Sequence, residues 1–517
     1  MTTTADAPVP APVRVLGRLP LHPVLVAAWP GLALWAANVD EVLPGEVWPT
    51  LWQPAVAAAV VWAVAAAVLR SVSRGAVVAT VVALAVLNVG RLWGGAPGLL
   101  AIVVVAAVVV GGAVAAWRMP RSALLPLTTV LNVLAVTMAA LSLPTVWSTW
   151  GPGASAAIAT TAGLEGEDGV VAGRDIFYVV PDRYPRADVL REVFDHDNGP
   201  FVSWLEDRGF QVADGALANY PKTAHSLAAT WNMAPVDELV PDPPADGGDW
   251  QPLYALLRDH RLGRLLTDAG YEYVHVGTWW SPTATAASAD RVLRVDTDSE
   301  FASVWRAQTL LPAIVDADDP DDDGDLTLRE RNRRYSSYQL DELDRLARER
   351  SRQPRFVLAH VTVPHEPYVF DADGSLVTAD QAAARSREEN LVNQVEYLNT
   401  RLQDLVATLT SGPPDTWPVI VIQSDEGPHP EGRTGPSYDW TTAPDELLEE
   451  KLRTFSAILL PESDAELPED LTGVNTWRYV LDAGLGTDLG PLPDPPIEVF
   501  PGEDHLYDLE DVSDRVD

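Results

Sequence analysis

Apolar residues follow two regimes along the chain. In the first 147 residues they form five nearly continuous stretches, Leu21–Val39, Leu51–Leu69, Ala76–Leu92, Gly98–Trp117 and Ala123–Leu143. Each is close to the roughly 20 residues with which a helix spans a bilayer. After residue 174 the pattern breaks into short runs. Asp175–Pro181, Phe210–Ala213, Tyr271–Gly277, Arg355–Val361, Trp417–Gln423 and Phe455–Leu460 read as strands, rich in β-branched and aromatic residues. Between them Ala187–Phe194, Tyr254–Ala269, Glu300–Val315, Leu326–Arg350, Ala382–Leu409 and Val474–Ala483 read as helices. Such alternation predicts an α/β fold: an α/β/α sandwich with a mostly parallel sheet, preceded by a five-helix transmembrane bundle.

This divides the chain into a tail (1–20), a transmembrane domain (21–147), a linker rich in Gly, Ala, Ser and Thr (148–174), a catalytic domain (175–485) and a peripheral, Pro- and Asp-rich C-terminal segment (486–517). Five successive apolar stretches are not a signal peptide, which has one. Orientation follows from the flanks. Arg14 and Arg18, Arg70 and Arg74, and Arg118 and Arg121 fall on one side, and the acidic loop with Asp40, Glu41 and Glu46 on the other. Basic flanks stay cytoplasmic, so an odd number of spans places residues 148–517 outside the cytoplasm, at the plasma membrane. The spans lack the mid-membrane charges of a transporter.

Charge sharpens this division. The first 150 residues hold seven Arg and four acids, which leaves 29 basic and 69 acidic residues for the rest of a chain whose net charge is −37. Such an acidic surface repels phosphate backbones, which argues against nucleic acid as a partner unless a metal intervenes. Without cysteine there are neither disulfides nor thiolate metal sites. Lysine is scarce beside arginine, which reads as a codon bias.

The candidate chemistry gathers at strand and helix ends. Asp182 follows the first strand of the soluble half, at the carboxyl edge where open α/β sheets bind ligands. Thr223 opens a helix after Asn219-Tyr-Pro-Lys222. A helix start stabilises an alkoxide or a phosphate, so Thr223 is a candidate nucleophile, with an ordinary N-cap as the alternative. His365, between two prolines, is placed to contact a phosphoryl oxygen or to move a proton; His360, inside a strand, reads as a core residue. Asp425 and Glu426 end the clearest buried strand, and adjacent carboxylates there suit a hard divalent cation. Finally, Asp319, Asp321, Asp323, Asp325 and Glu330, with Gly324, fit the spacing of a structural calcium loop; a solvated acidic loop is the other reading.

Asp182-Arg-Tyr184, Asn219-Tyr-Pro-Lys-Thr-Ala-His-Ser-Leu-Ala228, Pro364-His-Glu-Pro-Tyr-Val-Phe-Asp371, Gln423-Ser-Asp-Glu-Gly-Pro428 and Val474-Asn-Thr-Trp-Arg-Tyr479 follow one another in the order of a known family. Across residues 175–480 the chain resembles the sulfatase-like branch of the alkaline phosphatase superfamily, in particular the membrane-anchored group of lipoteichoic acid synthases and phosphoethanolamine transferases. The resemblance implies an alkaline phosphatase-like fold and one divalent metal (Mn, Mg or Zn) held by Asp182, Thr223, Asp425 and Glu426. It further implies a phosphothreonine on Thr223, a substrate contact from His365, and a phospholipid or cell-envelope polymer as substrate. Glu426 departs from the Asp-His pair usual in the family, which leaves a catalytically degenerate ligand-binding domain as the alternative; a sulfatase is disfavoured because Thr, not Cys or Ser, holds the nucleophile position.

Overall fold

The computed structural model describes residues 19–93, 98–150, 164, 166–167, 169–244, 247–295, 299–315, 328–430 and 438–516. They form two compact units, one of residues 1–155 with 298–327 and one of 156–297 with 328–517.

The first unit is built on five apolar helices, α1 (His22–Ala37), α2 (Pro44–Leu69), α3 (Val72–Leu87), α4 (Leu99–Arg118) and α5 (Arg121–Trp150). Three are long and apolar enough to cross a membrane, over Pro44–Leu69, Leu99–Arg118 and Arg121–Trp147; α1 and α3 are shorter, at 16 residues each. At 1.5 Å per residue, 16 residues cover about 24 Å of a hydrocarbon core about 30 Å thick. Arg74 donates to the Met119 carbonyl at 2.8 Å, which ties the α2–α3 turn to the α4–α5 turn at one end of the unit. Residues 299–315 pack in this unit and not in the sandwich, as two short helices, Glu300–Ala307 and Leu311–Val315. The single sheet-covering helix expected over Glu300–Val315 is thus corrected. The break falls at Gln308–Leu310, where backbone groups bond to Gly90 and Val86 instead of continuing the helix.

The second unit is a seven-stranded sheet in the order β2-β7-β6-β1-β5-β3-β4: β1 Ile176–Asp182, β2 Gln211–Val212, β3 Glu272–Val276, β4 Arg291–Leu293, β5 Arg355–Pro364, β6 Val419–Gln423 and β7 Ser456–Leu459. The pairs β1–β5, β1–β6, β3–β5 and β3–β4 are parallel, and only β7 pairs antiparallel, with β6 and β2. Side chains alternate across β1. Ile176, Tyr178 and Val180 enter one apolar core with Leu227, Trp231 and Trp477, whereas Phe177 and Val179 enter the other with Leu340, Leu398 and Phe455. Helices therefore cover both faces, as a parallel sheet requires. The C-terminal segment, read from its Pro and Asp content as peripheral, is built into the fold. Phe500 stacks on His225 at 4.5 Å between ring centres, and Ile497, Val499 and Val512 are buried.

Candidate active site

The parallel strands β1 and β5 end side by side, and β6 lies on the other side of β1. Their carboxyl ends bring together Asp182, His360 and Asp425, all buried, each offering one ligand atom within 4.8 Å of the others. His360 Nε2 lies 3.5 Å from Asp182 Oδ2, at the limit of a hydrogen bond. Its Nδ1 is held by Thr283 Oγ1 at 3.1 Å, an outer contact that fixes the ring. Asp182 Oδ1, Asp425 Oδ2 and His360 Nε2 are buried without a hydrogen-bond partner. Buried polar atoms are rarely left so, and three that converge have the donor set of a divalent cation. The residues present therefore fit a metal.

Electrostatics sets the two carboxylates apart. Burial, the neighbouring Asp182 and then Glu426 push Asp425 up to about 7. Burial acts on Asp182 in the same sense, but His365, His360 and Arg183 hold it below the usual carboxylate range. His360 loses from burial and gains more from Asp182 and Asp425, so its imidazole is raised. Two carboxylates in one dry space are what a bound cation would relieve, taking the imidazole of His360 in its neutral form in place of the proton.

Thr223 is the first residue of the helix Thr223–Asn232, and Lys222 is its N-cap without a side-chain bond. The hydroxyl of Thr223 therefore does not cap the helix. Ser226, one turn on, donates to the Asp425 carbonyl at 2.5 Å and fastens this helix start to the turn that carries Asp425. His365 lies half-buried on the loop after β5, where its charge acts on Asp182.

Glu426 stands outside the Asp-His-Asp group found among the described residues. Its Oε1 accepts from Arg183 Nε at 2.9 Å and from Lys451 Nζ at 2.8 Å. Arg183 also reaches Glu366 at 2.7 Å, and its backbone N–H donates to Asp425 at 3.0 Å. The residue sits at φ 64°, in the left-handed region that a residue with a Cβ rarely adopts; such strain clusters at functional sites. The carboxylate adjacent to Asp425 is thus matched to two cations, while the third member of the group is a histidine that the sequence reading placed in the core. Of the calcium loop, Asp319, Asp321, Asp323 and Asp325 lie outside the described residues, and Glu330 pairs with Arg333 and Arg334.

Lys222 and Lys451 are the only lysines of the chain, and both adjoin this site. Lys451 has no exposed side-chain surface and donates to the Gly427 carbonyl at 2.8 Å; Lys222 precedes Thr223 and pairs with Glu503 at 2.8 Å.

The family model described as Sulfatase matches residues 197–454. No curated protein matches the chain. Among solved structures, the C-terminal periplasmic domain of EcEptC from Escherichia coli in complex with Zn is 14% identical, with 68% of this chain and 95% of that chain covered and a TM-score of 0.42. The soluble domain of lipooligosaccharide phosphoethanolamine transferase A from Neisseria meningitidis is also 14% identical, with 61% and 91% covered and a TM-score of 0.38. For the C-terminal periplasmic domain of phosphoethanolamine transferase EptC from Campylobacter jejuni the values are 11%, 66%, 97% and 0.38. Thr223, His360, His365, Asp425 and Lys451 all lie inside the matched range: the chain carries a sulfatase-family domain over residues 197–454.

Proposed function

We propose that the protein is a membrane-anchored phosphoester transferase or hydrolase, metal-dependent and extracytoplasmic, with Thr223 as nucleophile and a lipid head group or envelope polymer as substrate. The observation that carries this reading is the buried Asp182–His360–Asp425 group with the start of the Thr223 helix fastened beside it. Asp182, Asp425 and His360 would hold one divalent ion, with Thr223 beside it, and Glu426 as a neighbour that balances Arg183 and Lys451. When bound, such an ion lowers the pKa of a hydroxyl and neutralises charge on phosphoryl oxygens. The Thr223 hydroxyl gives its proton to a base as its oxygen bonds to phosphorus, and the ester oxygen leaves with its electron pair and takes up a proton. The resulting phosphothreonine is then cleaved by an acceptor hydroxyl or by water, whose proton passes to a base; His365 is the candidate to supply and take the protons. The N–H groups of the Thr223–Asn232 helix start face developing negative charge. The five-span count rests on the apolar stretches and the extracytoplasmic side on the arginine flanks.

The second reading, a ligand-binding domain without turnover, is favoured by one observation, the engagement of Glu426 by two cations. One experiment separates them. The full chain in lipid nanodiscs is given Mn, Mg or Zn and a chromogenic phosphodiester, beside Thr223→Ala. The enzyme reading expects metal-dependent turnover and a phosphorylated Thr223 on acid quench, both lost in the variant. Metal binding with no turnover of any phosphodiester supports the second reading.

A further inference from the structure

Residues 299–315, which interrupt the chain of the catalytic unit, group with the membrane helices. Ser299 starts the helix Glu300–Ala307 by accepting from the Ala302 N–H at 3.2 Å. Phe301 is buried with Trp35 and Val47, Trp305 with Ala27 and Ala83, and Leu310 with Val89 and Ala101. Backbone bonds add register to this packing. The Leu310 N–H donates to the Val86 carbonyl at 2.8 Å, the Gly90 N–H donates to the Gln308 carbonyl at 3.0 Å, and Arg91 Nε donates to Gln308 Oε1 at 2.6 Å. Gly90 is fitted to this contact: a Cβ there would stand 2.3 Å from the Ala307 carbonyl oxygen. Most of these partners lie at the helix ends opposite Arg70, Arg74 and Met119: Trp35 near the C-terminal end of α1, Ala83 and Val86 near that of α3, Val89, Gly90 and Arg91 just after α3, Val47 at the start of α2 and Ala101 at the start of α4, whereas Ala27 lies in the first half of α1.

We propose that residues 299–315 are a positioning element, an excursion of the catalytic unit's chain that seats on the outer ends of its own membrane helices and is needed for turnover of a substrate held in the bilayer. The proposal rests on the lipid-directed reading above. A domain held by one flexible link of about 25 residues ranges over roughly 25–30 Å. Bringing the chain back to the bundle from within the domain replaces one connection by three, and each added connection narrows such a range. The element touches no reacting atom, so it acts on where the site is held and not on the chemistry.

The test uses the full chain in nanodiscs and its lack of cysteine. A Val86→Cys and Leu310→Cys pair is oxidised, and the disulfide is read by mass spectrometry. Turnover is then compared for a bilayer glycerophospholipid and for a water-soluble chromogenic phosphodiester, in wild type, Gly90→Val and Trp305→Ser. The seat predicts that the disulfide forms and leaves lipid turnover intact. Gly90→Val and Trp305→Ser lose lipid turnover at least tenfold and keep soluble turnover within about twofold. Absence of the disulfide, unchanged lipid turnover in both variants, or equal loss of both activities overturns the proposal. If the Val86→Cys/Leu310→Cys chain forms the disulfide yet the wild type turns over neither ester, the functional reading falls, and the positioning role with it; failure of the seat alone leaves wild-type turnover in place.

Discussion

Lys451 donates to Glu426 Oε1 at 2.8 Å from a side chain with no exposed surface, and the carboxylate it meets is equally buried. Removing Lys451 leaves that buried carboxylate with Arg183 for counter-charge, and under-compensated in a dry site. Lys451→Met is therefore expected to lower unfolding stability by about 3 kcal/mol, while Lys451→Met with Glu426→Leu recovers much of the loss. Chemical denaturation of the four members of the double-mutant cycle measures the coupling; additivity of the two single losses would show that the contact is energetically idle.

His360 and Glu426 make opposite predictions for metal binding. With His360 in the Asp182–Asp425 group and Glu426 occupied by Arg183 and Lys451, His360→Ala should weaken Mn or Zn binding at least tenfold, about 1.4 kcal/mol. Glu426→Gln should change it by less than threefold. Isothermal titration reads both, and the reverse order would return the ligand role to Glu426.

The metal-free protein should lose stability as pH rises through neutrality. Asp425 is raised from 3.8 to about 7, so the folded state favours its protonated form, and the stability this gives at low pH is lost on the way up to about 7. The raised His360 gives stability below 6.5 that is lost as pH climbs through its folded value. Asp182, depressed, acts in the opposite sense, but its window lies below 3.8. Melting of chelator-treated protein should thus fall as pH rises from about 4 to about 7 through Asp425, and further as pH climbs above 6.5 through His360. The rise in Tm on adding metal should grow over the same interval, because metal and protons compete for the same atoms. A flat metal-free profile would contradict the electrostatics described.

Thr223→Ala should abolish phosphodiester turnover, and Thr223→Ser should keep a measurable fraction, since an oxygen nucleophile remains. Ser226→Ala removes the bond to the Asp425 carbonyl and should cost about 1 kcal/mol of stability. Its kcat should fall with KM nearly unchanged, because the helix start is displaced from the site and the substrate contacts are not. Steady-state kinetics on the four proteins decides; a Thr223→Ala enzyme with wild-type kcat would remove Thr223 from the chemistry.

What could be read in the chain before folding was local. Asp182 and Asp425 each end an apolar run, and Thr223 follows a proline turn into a helix, so their places in the fold were visible in pattern alone. His360 was not. Inside Arg355–Val361 a histidine reads as core, and only the pairing of β5 with β1, which sets Val180 beside His360, brings it to Asp182. Glu426 was legible only in part: its neighbour in sequence suggested a shared ion, whereas the counter-charges on its Oε1 come from positions 183 and 451, far away in the chain. The C-terminal segment misled through its composition, because Pro and Asp hide the few apolar residues that pack on His225 and around Trp440. The excursion at 299–315 has the periodicity of an ordinary covering helix, and periodicity does not say which unit it covers.

The two lysines have a practical consequence. In a chain of 517 residues an amine-directed label meets, apart from the amino terminus, one partly accessible ammonium beside Thr223 and one fully enclosed beside Glu426. Carbon-13 reductive methylation of the full chain would therefore give, beside the signal of the amino terminus, only resonances that belong to the site. The Lys222 signal would follow events at the nucleophile, and the Lys451 signal would emerge only as its enclosure opens, so that occupancy and local unfolding are read from one spectrum.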